Sequence, residues 1–186
     1  ITAITFNAAA IDNTKIPNTG GKTFKDTVDP KQFMEEHGKY VDFLLLQEAG
    51  KMKNGEDPPK GNMITIAKQY GMKVVEGRFK HGTFACIAYK CKRFELRGGG
   101  PIEERIKKGK TKGTGWGMAQ QFFDKDNQVS VNIVNVQASH AKRTEDQEYE
   151  SDQIIMKLQK PIESGDVTIT GGDFNELGRD LRRDDP

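Results

Sequence analysis

Residues 40–47 read YVDFLLLQ, and after its first residues this stretch is almost unbroken in apolar side chains. A strand open to water on one face would alternate, so this pattern predicts a central β-strand covered on both faces. Working outward, Ile1 to Asn7 alternates in the β manner, and Asp29-Pro30 offers an N-cap followed by proline at the first helical position, with Gly38 as the stop. Asn62 to Tyr70 reads as a second helix. Lys73 to Glu76, Thr83 to Tyr89 and, more weakly, Phe94 to Arg97 read as strands. Gly98 to Gly115 is rich in glycine and contains Pro101, which predicts a loop. Met118 to Phe123 and Gln128 to Gln137 flank the turn residues Asp124-Lys125-Asp126-Asn127 and predict a hairpin. Thr144 with Gln147 forms a capping box, after which Ile154, Ile155 and Leu158 mark a helical stripe closed by Pro161. Val167 to Thr170 is a further buried strand running into Gly171-Gly172-Asp173-Phe174-Asn175. Hairpins interspersed with helices point to an α+β layered sandwich rather than a regular βαβ winding.

Composition agrees with one folded domain over residues 1–186. The apolar fraction of 34% excludes glycine, and the 20 glycines raise it close to the usual share of about 45–50%. With 29 basic and 27 acidic residues, the net charge of +2 excludes both a polyanionic tail and a histone-like polycation. No apolar run is long enough to span a membrane. Cys86 and Cys91 fit neither a disulfide framework nor a zinc site and read as ordinary thiols beside a strand. No targeting segment is visible.

Acidic and amide side chains stand where the apolar strands stop. Asn7 follows ITAITF, Glu48 follows VDFLLLQ, and Asp173 and Asn175 follow VTIT. Each alone reads as a turn former or a solvent-facing group. If the strands are neighbours, however, their ends bring together an oxygen-rich set suited to a hard cation such as Mg²⁺ or Mn²⁺, and not to zinc. Gly171-Gly172 would let backbones approach closely beside the acid. Residues 105–112 carry five positive charges, those of Arg105, Lys107, Lys108, Lys110 and Lys112, and Trp116 follows. A loop of this kind can straddle a phosphate backbone while Trp116 stacks on a base, or it can simply be solvated.

The segments ITFNAAAID, LLLQEAG, VNIVNVQASHAKR and TITGGDFNE occur in this order. Through them the chain resembles the endonuclease/exonuclease/phosphatase superfamily over essentially its whole length. Its signatures correspond to Phe6-Asn7, Gln47-Glu48, the segment from Gln137 to His140, and Gly172-Asp173-Phe174-Asn175. The resemblance implies a four-layer α/β/β/α sandwich and Mg²⁺-dependent cleavage of a phosphate ester, with nucleic acid as the expected partner. It implies Glu48 as the principal metal ligand with Asn7 beside it. Asp173 would orient or deprotonate the attacking water, and Asn175 would hold the metal or the phosphate.

Two departures accompany it. Gln137 stands where related endonucleases carry Tyr, or His in deoxyribonuclease-like members, and it can donate a hydrogen bond to a phosphate but cannot act as an acid. His140 stands where they carry a phosphate-contacting Asn, and it is the candidate for a substitute proton donor. Family members also continue past this motif through further strands to a final Asp-His pair, whereas this chain stops 11 residues after Asn175. The expectation is therefore a fragment of weak activity whose last strands are missing, with another chain or segment completing the sheet. A binding or scaffold domain of the same fold, and a phosphoinositide or phosphomonoester phosphatase, are the alternatives.

Overall fold

The computed structural model describes residues 1–7, 30–47, 63–77, 85–107, 114–138, 152–158 and 166–173. The first half of the chain gives β1 (Ala3–Asn7), α1 (Pro30–His37), β2 (Phe43–Gln47), α2 (Met63–Gln69), β3 (Met72–Glu76) and β4 (Cys86–Lys90). The second half gives β5 (Phe94–Lys107), β6 (Thr114–Asp124), β7 (Val129–Gln137), a helical segment at residues 152–158, and β8 (Val167–Asp173). One sheet has the order β1-β2-β4-β3 and the other β5-β6-β7-β8. Each sheet is mixed: β1 runs parallel to β2 and β7 parallel to β8, and the remaining pairs are antiparallel.

Three apolar layers account for the stacking. Met34 of α1 and Met63, Ile66 and Ala67 of α2 pack on Leu44 and Leu46, which face outward from β2. The alternate β2 residues Phe43 and Leu45 face the second sheet, where they share a core with Trp116, Met118, Phe122, Val131 and Ile133. On the far side, Ile154 and Leu158 cover Ala119, Val134 and Val136. Because β2 is apolar at every position but its last, both of its faces find a partner, and all five of its residues are buried. The result is the expected α+β arrangement of helix, sheet, sheet and helix layers. Phe43 anchors its middle, with ring centroids 4.4 Å from Phe94 and 5.0 Å from Phe122.

Local signals placed most elements within a residue or two. Pro30 opens α1, and Gly38 closes it by donating its N–H to the Met34 carbonyl at 2.9 Å. Thr83, Phe84, Thr144, Gln147 and Pro161, which also entered those readings, lie outside the described residues.

The expected loop at 98–115 is a correction at both its ends, while residues 108–113 lie outside the described residues. Residues 98–107 continue β5, and Thr114 and Gly115 already belong to β6. The glycines serve two different purposes here. Gly98 and Gly100 take positive φ values of 78° and 129° in an irregularity that shifts the register between Arg97 and Ile102, after which pairing resumes from Ile102↔Ala119 to Lys107↔Thr114. Gln120 Nε2 closes this bulge by donating to the Arg97 carbonyl at 2.7 Å. Gly117, by contrast, makes room for the outer helix: a Cβ there would lie 2.6 Å from Ile154 Cγ2 and 2.8 Å from Leu158 Cδ1.

Candidate active site at one edge of the sandwich

Two pairs of parallel strands end together. Asn7 and Gln47 are the last residues of β1 and β2 and stand in register, as do Gln137 and Asp173 at the ends of β7 and β8. Parallel pairing places both members of each pair at the same end of their sheet. The two pairs also face one another across the core, since a Cβ on Gly171 would lie 3.1 Å from Leu45 Cδ2 and 3.9 Å from Thr5 Cβ. The expected close approach of backbones is met at Gly172 and not at Gly171, whose neighbours are side chains. At Gly172 a Cβ would run into the Val136 carbonyl oxygen of the neighbouring strand. Asp173 follows directly and is half-buried. Strand alternation puts it on the face of β8 that carries Ile169, which packs into the core between the sheets. Its carbonyl accepts from Ala138 N–H at 2.8 Å, which carries the β7–β8 pairing past the last register pair.

The floor of this edge is a buried polar bridge. Asn135, with none of its surface exposed, donates through Nδ2 to the carbonyls of Leu46 and Cys86, both at 3.0 Å. Its Oδ1 accepts from Gln47 Nε2 at 2.6 Å. Gln47 Nε2 also lies 3.0 Å from Thr5 Oγ1 and from Leu45 O. Four strands therefore meet in one network directly beneath their ends. Cys86, beside it, is a poor nucleophile: burial, with a smaller push from Glu76, raises its thiol pKa to about 12.

The second sheet carries a row across its full width at the level of Asp173: Arg105↔Trp116, Trp116↔Gln137 and Gln137↔Asp173. The basic tract begins in this row and continues two residues past it at Lys107↔Thr114. Neighbouring strands are about 4.8 Å apart, so some 14 Å separates the β5 and β8 backbones. The backbone of Arg105 to Lys107 thus reaches the same edge as the end of β8.

Of the residues expected to act, the structure brings Asn7, Gln137 and Asp173 to this edge, together with the backbone of Lys107. Glu48, His140, Lys108, Lys110, Lys112 and Asn175 lie outside the described residues. Glu48 is the next residue after β2, and Asn175 lies two residues beyond β8. Gln137 is buried at the end of its strand. Trp116 is a correction. Only 6% of it is exposed, because it occupies the inner face of β6 in alternation with Met118 and Phe122, and its indole belongs to the core rather than to a base-stacking surface. Among the described residues no three His, Cys, Asp or Glu side chains gather as a metal cluster, and no described helix is long and apolar enough to cross a membrane.

No protein-family model and no curated protein sequence matches the chain. Solved structures do. D. rerio TDP2 complexed with a single-strand DNA product superposes with a TM-score of 0.57 at 15% identity, covering 93% of this chain and 60% of that one. An endonuclease/exonuclease/phosphatase family protein from Bacteroides thetaiotaomicron gives 0.58 at 16% identity, over 78% of this chain and 52% of that one. The chain has the endonuclease/exonuclease/phosphatase fold. A third protein with that fold, the Bacteroides thetaiotaomicron mannosyl-6-phosphatase, matches at 0.58 and 14% identity over 78% of this chain and 54% of its own. The chain spans 52–60% of the length of these three structures.

Within the endonuclease/exonuclease/phosphatase fold, the residues that sequence reasoning overlooked are Asn135 and Thr5. A signal was there for the first. Asn135 has the same strand parity as the apolar Val129, Val131 and Ile133, so a polar residue there interrupts an apolar face and needs partners inside the protein.

Proposed function

We propose that the protein is a Mg²⁺-dependent phosphodiesterase that cleaves nucleic acid at the edge formed by the ends of β1, β2, β7 and β8. The observation that carries this reading is the convergence of Asn7, Gln47, Gln137 and Asp173 at that edge, with Glu48 next in the chain after Gln47. The donor chemistry fits the ion: Glu48, Asn7 and the half-buried Asp173 would offer oxygen ligands, the set a hard divalent cation takes. Bound there, Mg²⁺ would offset the negative charge that grows on a phosphodiester under attack.

The chain's own residues supply the rest. Asp173 accepts the proton of the attacking water and orients it, Asn175 donates to a phosphate oxygen, and His140, three residues past Gln137, protonates the leaving oxygen. Nucleic acid is favoured over a small phosphomonoester by the basic tract, whose first residues, Arg105 to Lys107, lie on the same edge with about 14 Å between the β5 and β8 backbones, a separation that suits an extended polyanion. The TDP2 structure with its DNA product supports that choice. The mannosyl-6-phosphatase neighbour makes a sugar phosphate the second reading.

The test measures Mn²⁺ affinity by calorimetry and hydrolysis of a single-stranded oligodeoxynucleotide and of mannose 6-phosphate. Glu48→Gln should weaken Mn²⁺ binding markedly, and Asp173→Asn should lower oligonucleotide cleavage by about 10²-fold or more. Unchanged Mn²⁺ affinity in Glu48→Gln sinks the metal assignment. Turnover of the sugar phosphate alone moves the protein to the second reading.

A further inference from the structure

We propose that Asn135 is a positioning residue that fixes the end of β2, the strand from which Glu48 follows, against β7, the partner of the strand that ends in Asp173. The functional half of this inference rests on the phosphodiesterase reading of that edge. The structural half rests on the bridge alone. The β2–β4 ladder has its last register pair at Leu46↔Cys86, and Asn135 Nδ2 donates to the carbonyls of both residues, acting as an added rung where the ladder stops. Its Oδ1 takes the shortest contact of Gln47 Nε2, at 2.6 Å. Both groups of one amide are thus committed to the last two residues of β2. The partners are 89 and 49 residues away in the chain, so no local structure replaces the bridge.

Packing alone would not call for an amide here. The other β7 residues on this inner face with full burial are Val131 and Ile133, and a third aliphatic side chain would continue that layer. What an aliphatic side chain cannot do is tie the β2 backbone to β7. The polar residue therefore serves geometry: it holds the last residue before Glu48 in fixed register with the strand leading to Asp173 by way of the Gln137↔Asp173 pair.

The test uses Asn135→Val, which removes every hydrogen bond of the bridge while suiting a strand, and Asn135→Asp, which keeps the acceptor for Gln47 but has no N–H for the two carbonyls. Native-state amide exchange is followed along β2, and Mn²⁺ affinity is measured by electron paramagnetic resonance. In both variants the Gln47 and Glu48 amides should exchange at least tenfold faster relative to Phe43 and Leu44 of the same strand. Mn²⁺ should bind at least fivefold more weakly. Adding Gln47→Leu to Asn135→Val should change Mn²⁺ affinity little further, because both act on one bridge. Acceleration spread evenly along β2 overturns the proposal, as does local acceleration with unaltered Mn²⁺ affinity. If the wild-type chain binds no Mn²⁺, the phosphodiesterase reading falls, and the exchange profile alone then decides whether Asn135 fixes the strand end. If neither Asn135 variant folds, Gln47→Leu alone is read by the same two measurements.

Discussion

Removing the carboxylate of Asp124 tests how the end of the sandwich opposite the candidate site is held. Asp124 has none of its surface exposed and accepts from Arg93 Nε at 3.0 Å and Nη2 at 2.7 Å, from Asn127 Nδ2 at 2.8 Å and from Asp126 N–H at 3.1 Å. Arg93 reaches on to Asp42 at 3.2 Å, and Asp42 accepts from Thr2 N–H at 2.9 Å. One guanidinium thereby clamps the start of β1, the start of β2, the β4–β5 turn and the β6–β7 turn. Breaking a fully buried pair costs about 3–5 kcal/mol. Arg93 keeps Asp42, and 24% of its side chain reaches water, so the lower end applies: about 3 kcal/mol for Asp124→Ala. At about 2–4 °C per kcal/mol for a chain of this size, the melting midpoint should fall by roughly 6–12 °C.

The pH dependence has a definite sign. Arg93, followed by Asn127 and the backbone N–H groups of Asp126 and Asn127, holds the Asp124 carboxyl well below its ordinary value of 3.8. A depressed folded pKa adds stability that is complete above the unfolded value and is lost as the pH falls toward the folded one. Urea unfolding of wild type and Asp124→Asn across a range of about pH 2 to 7 should therefore show a constant difference at neutral pH that shrinks below about pH 4. An equal acid loss in both proteins, or a cost under about 1 kcal/mol for the alanine variant, would refute the clamp.

Thiol reactivity and salt dependence give two more checks. With its thiol pKa pushed up to about 12 by burial, Cys86 should resist a disulfide reagent at about pH 8 until the protein unfolds, while the partly exposed Cys91 reacts in the native state; rapid native labelling of both thiols would contradict the burial. Replacing Lys107, Lys108, Lys110 and Lys112 with serine should flatten the salt dependence of single-strand DNA binding by about 0.7 for each phosphate no longer neutralised, and a slope that does not move would make the hairpin a bystander.

Sequence alone determined those features whose cause is local. The unbroken apolar run in YVDFLLLQ already required two covered faces, Pro30 and Gly38 bounded α1, and the turn residues 124–127 joined two strands of matching alternation. The same logic marked Asn7, Glu48, Asp173 and Asn175, where the apolar strands stop, as places where polar groups emerge. Tertiary structure decided what depends on distant partners. Glycine raises the local prospect of a loop, but Gly98 and Gly100 supply a bulge within β5, and Gly117 is small because Ile154 and Leu158 press on it from 37 and 41 residues away. Trp116 was read with the basic tract that precedes it as a stacking platform, whereas the pairing of β6 with β5 and β7 carries it into the strand and sets it on the inner face with Met118 and Phe122. Register, too, is a property of pairing: only the ladders put Arg105, Trp116, Gln137 and Asp173 in one row. Asn135 gains its meaning from carbonyls 89 and 49 residues away, since a buried amide is specified by whichever backbone groups the fold brings within about 3 Å of it.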